Sequence, residues 1–327
     1  MERLNVDCIP LEDIRKAQRV LYESGGVVKT PLVPLNVDIP GKKIFLKLEN
    51  LQPVHSFKIR GAGNAIHSLN KEDLEDGIFT SSAGNFAQGL AFNAQKLGVE
   101  CTVLVPDSCS ESKLNAIKYY GGIVKKIPWK DWWKVMETHQ FEGIGPQRFI
   151  HPVCDADVIA GNGSIGLEIL EDLPEVDIIV SPYGGGGCVC GVASVMKALK
   201  PQTRMFVCED EGAAPLAASL AAGEVTSVAN HRSSFVDGMC GKSVFPAMWR
   251  LARSLVEGSY TLSLREICDA VKLLVEKNCI VAEGAGAAPV AAALREDFPP
   301  GNIVCIVSGG NIDTEKLVTI LQGDIPA

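Results

Sequence analysis

Short β-branched apolar runs alternate with amphipathic helical stretches along nearly the whole chain, and this alternation constrains the fold more than any other feature. Strands are expected at Lys43–Leu48, Gly77–Ser81, Cys101–Pro106, Ile123–Ile127, Arg148–His151, Asp177–Ser181, Arg204–Glu209 and Asn302–Val307. Helices are expected between them, at Leu11–Glu23, Ile59–Ser68, Phe86–Leu97, Glu111–Tyr119, Ser164–Asp172, Cys188–Leu199, Leu264–Lys277, Ala285–Leu294 and Thr314–Leu321. Strands alternating with helices argue for an α/β protein whose open, twisted, mostly parallel sheets are flanked by helices on both faces. Right-handed crossovers then place ligand loops at the carboxyl ends of the strands.

The chain's 327 residues are enough for one large α/β unit or two packed domains. With 46% hydrophobic and 21% charged residues, a sizeable core is expected and disorder is not. No long linker, repeat or low-complexity tract marks a boundary. Crossings within Gly61–Gly77 and Phe141–Pro152 suggest a larger domain from residues 1–76 and 153–327 and a smaller one from 77–152. The chain ends soon after Ser308–Asn311, which leaves no room for an added regulatory domain.

Lys and Arg total 31 against 39 Asp and Glu, a net charge of -8, and no basic run suits a nucleic acid. A small anion remains admissible, because a few local backbone N–H groups bind a phosphate whatever the net charge. The 11 cysteines are scattered, several inside apolar runs, and do not form a disulfide framework. Cys188 and Cys190 lie too close together for paired zinc ligands, and no metal site is expected. Met1–Arg15 lacks a signal-peptide core, and no apolar stretch reaches membrane-spanning length. A cytoplasmic, reducing setting without membrane contact is therefore expected.

Four segments carry candidate chemistry. In Ser56-Phe57-Lys58-Ile59-Arg60-Gly61, Lys58 opens a helix, where a cation opposes the helix dipole. Its apolar neighbours Phe57 and Ile59 argue against a freely wetted face, and a desolvated lysine is a candidate for Schiff-base chemistry. In Ser81-Ser82-Ala83-Gly84-Asn85, a strand ends in a tight turn and a helix begins, so free N–H groups and small hydroxyls suit a carboxylate. Gly184, Gly185, Gly186 and Gly187 follow a strand and precede a helix, which reads as a phosphate cup. Val189 stands where the dinucleotide fingerprint needs its last glycine, so a nicotinamide cofactor is disfavoured. Ser308-Gly309-Gly310-Asn311 follows another strand, and Ser308 is placed to meet a ring nitrogen of a ligand lying across the sheets. Alone, each of these is an ordinary turn. His55 and His151 are expected in a turn or core, and Trp129, Trp132 and Trp133 as helix packing on the smaller domain.

Taken together and in this order, the four segments resemble the fold-type II pyridoxal-phosphate enzymes, whose architecture is like that of the tryptophan synthase β subunit. Within them the chain looks like the short threonine/serine dehydratases (ammonia-lyases). Thr30-Pro31-Leu32, His151-Pro152 through Ala160-Gly161, and Ala282-Glu283-Gly284-Ala285-Gly286-Ala287 extend the likeness. The resemblance implies pyridoxal 5'-phosphate bound to Lys58 as a Schiff base, with Lys58 as catalytic base and Phe57 beside the ring. It further implies Asn85 at the 3′-oxygen, Gly184 to Gly187 on the phosphate and Ser308 at the pyridine nitrogen. Ser81, Ser82, Ala83, Gly84 and Asn85 would receive the substrate carboxylate. The implied reaction converts L-threonine or L-serine to a 2-oxo acid and ammonia, and the implied assembly is a homodimer.

Serine racemase shares this scaffold and is the competing reading, as is a dehydratase for another β-hydroxy amino acid such as 3-hydroxyaspartate. Eukaryotic racemases resemble one another in a serine just before the Gly-Asn pair, where this chain has Ala83, and a methyl group cannot transfer a proton. Their divalent-cation site is imperfect here as well: Glu209 matches one ligand, but Pro215 takes the place of a later aspartate. Phe86, Asn162, Ser164 and Tyr183 also depart from the usual dehydratase pattern, which leaves the exact substrate open.

Overall fold

A computed structural model describes residues 4–326. The chain starts with helix α1 (Leu11–Glu23) and the strands β1 (Leu32–Pro34) and β2 (Lys42–Leu48), followed by α2 (Lys58–His67) and the short α3 (Lys71–Glu75). It continues through β3 (Ile78–Ser81), α4 (Asn85–Leu97), β4 (Cys101–Pro106), α5 (Glu111–Tyr119), β5 (Ile123–Ile127), α6 (Trp129–Thr138) and β6 (Arg148–Phe149). Next come α7 (Ala156–Asp172), β7 (Ile178–Pro182), α8 (Gly187–Leu199), β8 (Arg204–Asp210), α9 (Pro215–Ala222) and α10 (Pro246–Leu255). β9 (Gly258–Leu262), α11 (Leu264–Asn278), α12 (Gly284–Leu294), β10 (Gly301–Val307) and α13 (Thr314–Leu321) complete it.

The strands form a six-stranded sheet, ordered β1-β2-β10-β7-β8-β9, and a four-stranded sheet, ordered β5-β4-β3-β6. Every pairing is parallel except that of β1 with β2. The α/β reading with mostly parallel sheets therefore holds. Side chains alternate across the larger sheet. Ile179, Val304, Ile306, Met205 and Val207 join a core with α7, α8 and α10, whereas Ile178, Val180, Ile303, Cys305 and Val307 join another with α11 and α12. Both faces are covered, which explains why the central stretches of these strands are apolar in consecutive positions rather than alternating. The smaller sheet does the same, with Val103 and Val105 on one side and Phe79 and Leu104 on the other.

Several elements differ from the sequence expectation. α7 starts at Ala156, a full two turns before Ser164, because Asp155 caps it by accepting from the N–H groups of Asp157 and Val158. The expected strand at Arg148–His151 stops at Phe149, and His151 instead caps the next turn, its Nδ1 accepting from the Val153 and Cys154 N–H groups. β1 and β9 were not anticipated, being an edge strand that ends in proline and a strand whose positions are mostly only half-buried. Helices α3, α9 and α10 were missed too, and α6, implied only by its tryptophans, had no stated bounds. α3 is a single short turn, and α9 and α10 each begin at a proline that reads more easily as a break.

Candidate active site

Lys58 is the first residue of α2, and the loop before it is tied to the end of β10. The Phe57 N–H donates to the Ser308 carbonyl at 3.0 Å, and the Gly310 N–H donates to the His55 carbonyl at 2.9 Å. His55 sits in the left-handed region (φ 58°), where it turns the chain into the helix. Lys58 is partly open to a cleft, and its Nζ lies 5.0 Å from the centre of the Phe57 ring. Burial holds its amine below the usual lysine range, against the opposing pull of Cys188 and Glu283. An amine shifted in this direction is neutral more often at neutral pH and so a better nucleophile and base.

Two residues further along α2, Arg60 is fully buried between two carboxylates. Its guanidinium donates to Glu49 at 2.7 and 2.8 Å and to Glu168 at 2.6 and 3.0 Å, with a further bond to Ser164 Oγ. Lys47 completes a charge-balanced set, donating to Glu168 and to the Thr30 carbonyl, each at 2.6 Å. The helix that presents Lys58 is thereby bolted to β2 and α7. The sequence reading singled out none of these four charges as a group.

At the end of β3, Ser82, Ala83, Gly84 and Asn85 face the cleft, partly exposed, and α4 starts at Asn85. Ser81 does not join them. It is buried, and its hydroxyl donates to the Trp132 carbonyl at 3.1 Å. Asn85 reaches across to the larger sheet's unit. Its Oδ1 accepts from Asn311 at 2.8 Å, and its Nδ2 lies 2.9 and 3.1 Å from the two oxygens of Glu283. The carboxyl ends of β3 and β10 thus meet at one place. Glu283 begins α12 as its cap residue, and burial pushes its carboxyl up to about 7 against the lowering hydrogen bond from Asn85. The sequence reading quoted Glu283 only within a longer segment. Its signal was a lone carboxylate in the otherwise small, apolar run Ala282–Ala288.

The glycine turn lies between β7 and α8. A Cβ on Gly184 would come within 2.2 Å of the Gly238 carbonyl oxygen, so no side chain fits there. Gly186 has φ +89° and caps the N-terminus of α8, whose first N–H groups are free to bind an anion. Lys58 and Cys188, in the first turn of α8, are close enough to influence each other's ionisation. The Lys58 loop is thus tied to the strand end at Ser308, Lys58 is near the head of α8, and Asn85 joins Glu283 and Asn311 beside them.

The residues fit pyridoxal phosphate. The turn is a cradle that side chains would fill, and the buried Tyr183 Oη beside it has no partner within the described residues. Lys58 has no ion-pair partner there either, which leaves its amine available. The Glu209 position is a different matter. Its carboxylate accepts from the Leu216 and Ala217 N–H groups at 2.7 and 2.8 Å and from Ser259 Oγ at 2.5 Å. It caps the helix that Pro215 begins, and no group of His, Cys, Asp and Glu among the described residues is arranged to hold a metal. Of the tryptophans, Trp132 packs on the smaller sheet as expected, while Trp133 stacks on Phe245 of the larger unit at 6.3 Å.

Comparisons with known proteins agree on one family. The profile of the family described as pyridoxal-phosphate dependent enzyme matches residues 23–309. The chain is 37% identical to an L-threonine ammonia-lyase of Thermotoga maritima, an alignment covering 96% of this chain and 78% of that protein. It is 34% identical to a catabolic L-threonine dehydratase of Staphylococcus aureus, covering 96% of this chain and 92% of that one. Among solved structures it is similar to maize serine racemase, with TM-score 0.87 and 32% identity over 97% of this chain and 98% of that one.

Proposed function

The chain belongs to the pyridoxal-phosphate dependent enzymes, and from that premise we propose that it converts L-threonine or L-serine to a 2-oxo acid and ammonia, the water lost with the β-hydroxyl being returned when the product hydrolyses. It is a lyase that depends on pyridoxal phosphate. The observation that carries the elimination reading is Ala83, in the partly exposed loop between β3 and α4. Similarity to serine racemase favours inversion of serine as a second reading. Inversion needs a proton donor and acceptor on each side of the α-carbon, and the Ala83 methyl offers neither.

In this reading Lys58, Asn85, Ser308 and the Gly184–Gly187 turn hold the cofactor, with the phosphate on the free N–H groups at the head of α8. Bound there, pyridoxal phosphate supplies an aldehyde carbon for amines and a ring that withdraws electrons from the substrate's α-carbon. Lys58 Nζ takes the α-proton, helped by the burial that lowers the cost of holding its amine neutral. Ser82 and the N–H groups that open α4 bind the substrate carboxylate. Asn311 and Glu283 fix the Asn85 amide so that its orientation is set before any ligand arrives. Ser308 is neutral, so beside the ring nitrogen it would offer a hydrogen bond without a charge.

All 11 cysteines are free thiols, which supports a reducing compartment such as the cytoplasm. Among the described residues no helix is long and apolar enough to cross a membrane. A homodimer and a larger and smaller domain divided near residues 76 and 153 complete the proposal. The test is a panel of L-serine, D-serine, L-threonine and 3-hydroxyaspartate, scored for oxo acid and for enantiomer, alongside Lys58→Ala. L-Threonine or L-serine should yield oxo acid, and Lys58→Ala should lower that rate by about 10³-fold or more and lose the cofactor's lysine-bound absorbance. Inversion of serine without ammonia release would overturn the proposal.

A further inference from the structure

Tyr183 follows β7 and directly precedes the glycine turn. Its side chain is 1% exposed, and its hydroxyl has no hydrogen-bond partner among the described residues. Leaving a buried hydroxyl unpaired is costly, and phenylalanine would fill the same space without that cost. The hydroxyl lies against the turn: a Cβ built on Gly186 would sit 3.3 Å from it. Gly186 caps α8, a helix of 13 residues whose N-terminal N–H groups already favour an anion. Burial, with Cys190, Glu209 and Cys154 adding to it, pushes the phenol well above its ordinary range, so it remains a protonated donor. On the other flank of the turn the amide nitrogen of Asn162, a donor, would be 3.4 Å from a Cβ on Gly187.

We propose that the Tyr183 hydroxyl is a further donor to the cofactor's phosphate, acquiring its missing partner when that phosphate enters the glycine turn. This rests on the reading of the turn as the phosphate site. A hydrogen bond to a charged group is stronger than one between neutral groups, so its loss should be measurable in cofactor affinity.

The test compares the full-length wild type with Tyr183→Phe, following release and rebinding of pyridoxal phosphate by absorbance, with unphosphorylated pyridoxal as control. Affinity for pyridoxal phosphate should fall by about tenfold, while affinity for pyridoxal is unchanged and the cofactor-free variant melts no lower than wild type. Affinity for pyridoxal phosphate within about twofold of wild type would overturn the proposal, as would an equal loss for both aldehydes. Should the variant fail to fold, the Raman doublet of tyrosine reports phenol hydrogen bonding in the wild type. Adding inorganic phosphate to the cofactor-free wild type should shift it, and no shift counts against the proposal. A wild type that binds neither pyridoxal phosphate nor phosphate would instead sink the underlying reading of the turn.

Discussion

Replacing Arg60 by methionine keeps much of the side chain's volume but withdraws every charged contact that its guanidinium makes. Four bonds to Glu49 and Glu168 disappear, together with the bond to Ser164, and the buried Glu49 carboxylate keeps only the neutral donors Thr30 and Gln52, while Glu168 keeps Lys47 and Tyr22. Breaking a buried ion pair from one side typically costs about 3–5 kcal/mol, because a charge is stranded. Against a total stability of roughly 5–15 kcal/mol, that predicts a fall in melting temperature on the order of 10 °C. The pH dependence gives a second handle. In the wild type burial works to raise the Glu168 carboxyl, but Arg60 and Lys47 outweigh it and hold the group below its usual range. That contribution is present above the unfolded value and is lost as pH falls through the folded one. Without Arg60 burial prevails, the folded value rises, and stability is instead lost as pH rises. The deficit of Arg60→Met should therefore widen from about pH 5 to about pH 8 in thermal melts. Arg60→Lys restores the charge without the two-pronged geometry, and should recover only part of the loss. A methionine variant melting within about 2 °C of wild type, or a deficit independent of pH, would refute the reasoning.

Glu283 titrates in the opposite sense. Its carboxyl is raised to about 7, so the stability linked to it is full below the unfolded value and is lost as pH climbs through about 7. Cofactor-free Glu283→Gln should gain on wild type over that interval, by at most about 3 kcal/mol, and parallel melting curves would remove the argument. Ala83→Ser places a hydroxyl in the loop between β3 and α4, and D-serine should then form from L-serine alongside oxo acid. Chiral chromatography checks this, and a variant that eliminates without inverting would show that position 83 does not supply the missing proton.

Much of the fold was legible in the chain because both sheets are mostly parallel and covered on both faces, which forces apolar strands such as Cys101–Pro106 to announce themselves. Elements whose formation depends on neighbours were not. β9 is held as the edge partner of β8, and α7 extends back to Asp155 through a cap that periodicity does not register. The site divides in the same way. Lys58, Asn85, the four glycines and Ser308 each stood out because a turn after a strand has a local composition. Ser81 misled for the same reason, since its neighbours face the cleft while its own hydroxyl turns to the Trp132 carbonyl.

The sequence by itself determined which residue types follow each strand, and so which loops are able to carry a cofactor and a base. Only the tertiary structure decided the company those residues keep. Glu283 meets Asn85 from 198 positions away, Arg60 meets Glu168 from 108, and the Tyr183 hydroxyl is left without a partner. Pairings over such separations follow from the packing of whole layers, whereas a strand, a turn or a helix start follows from forces between near neighbours. Ionisation is set by the former, since burial and opposing charge come from every element around a group.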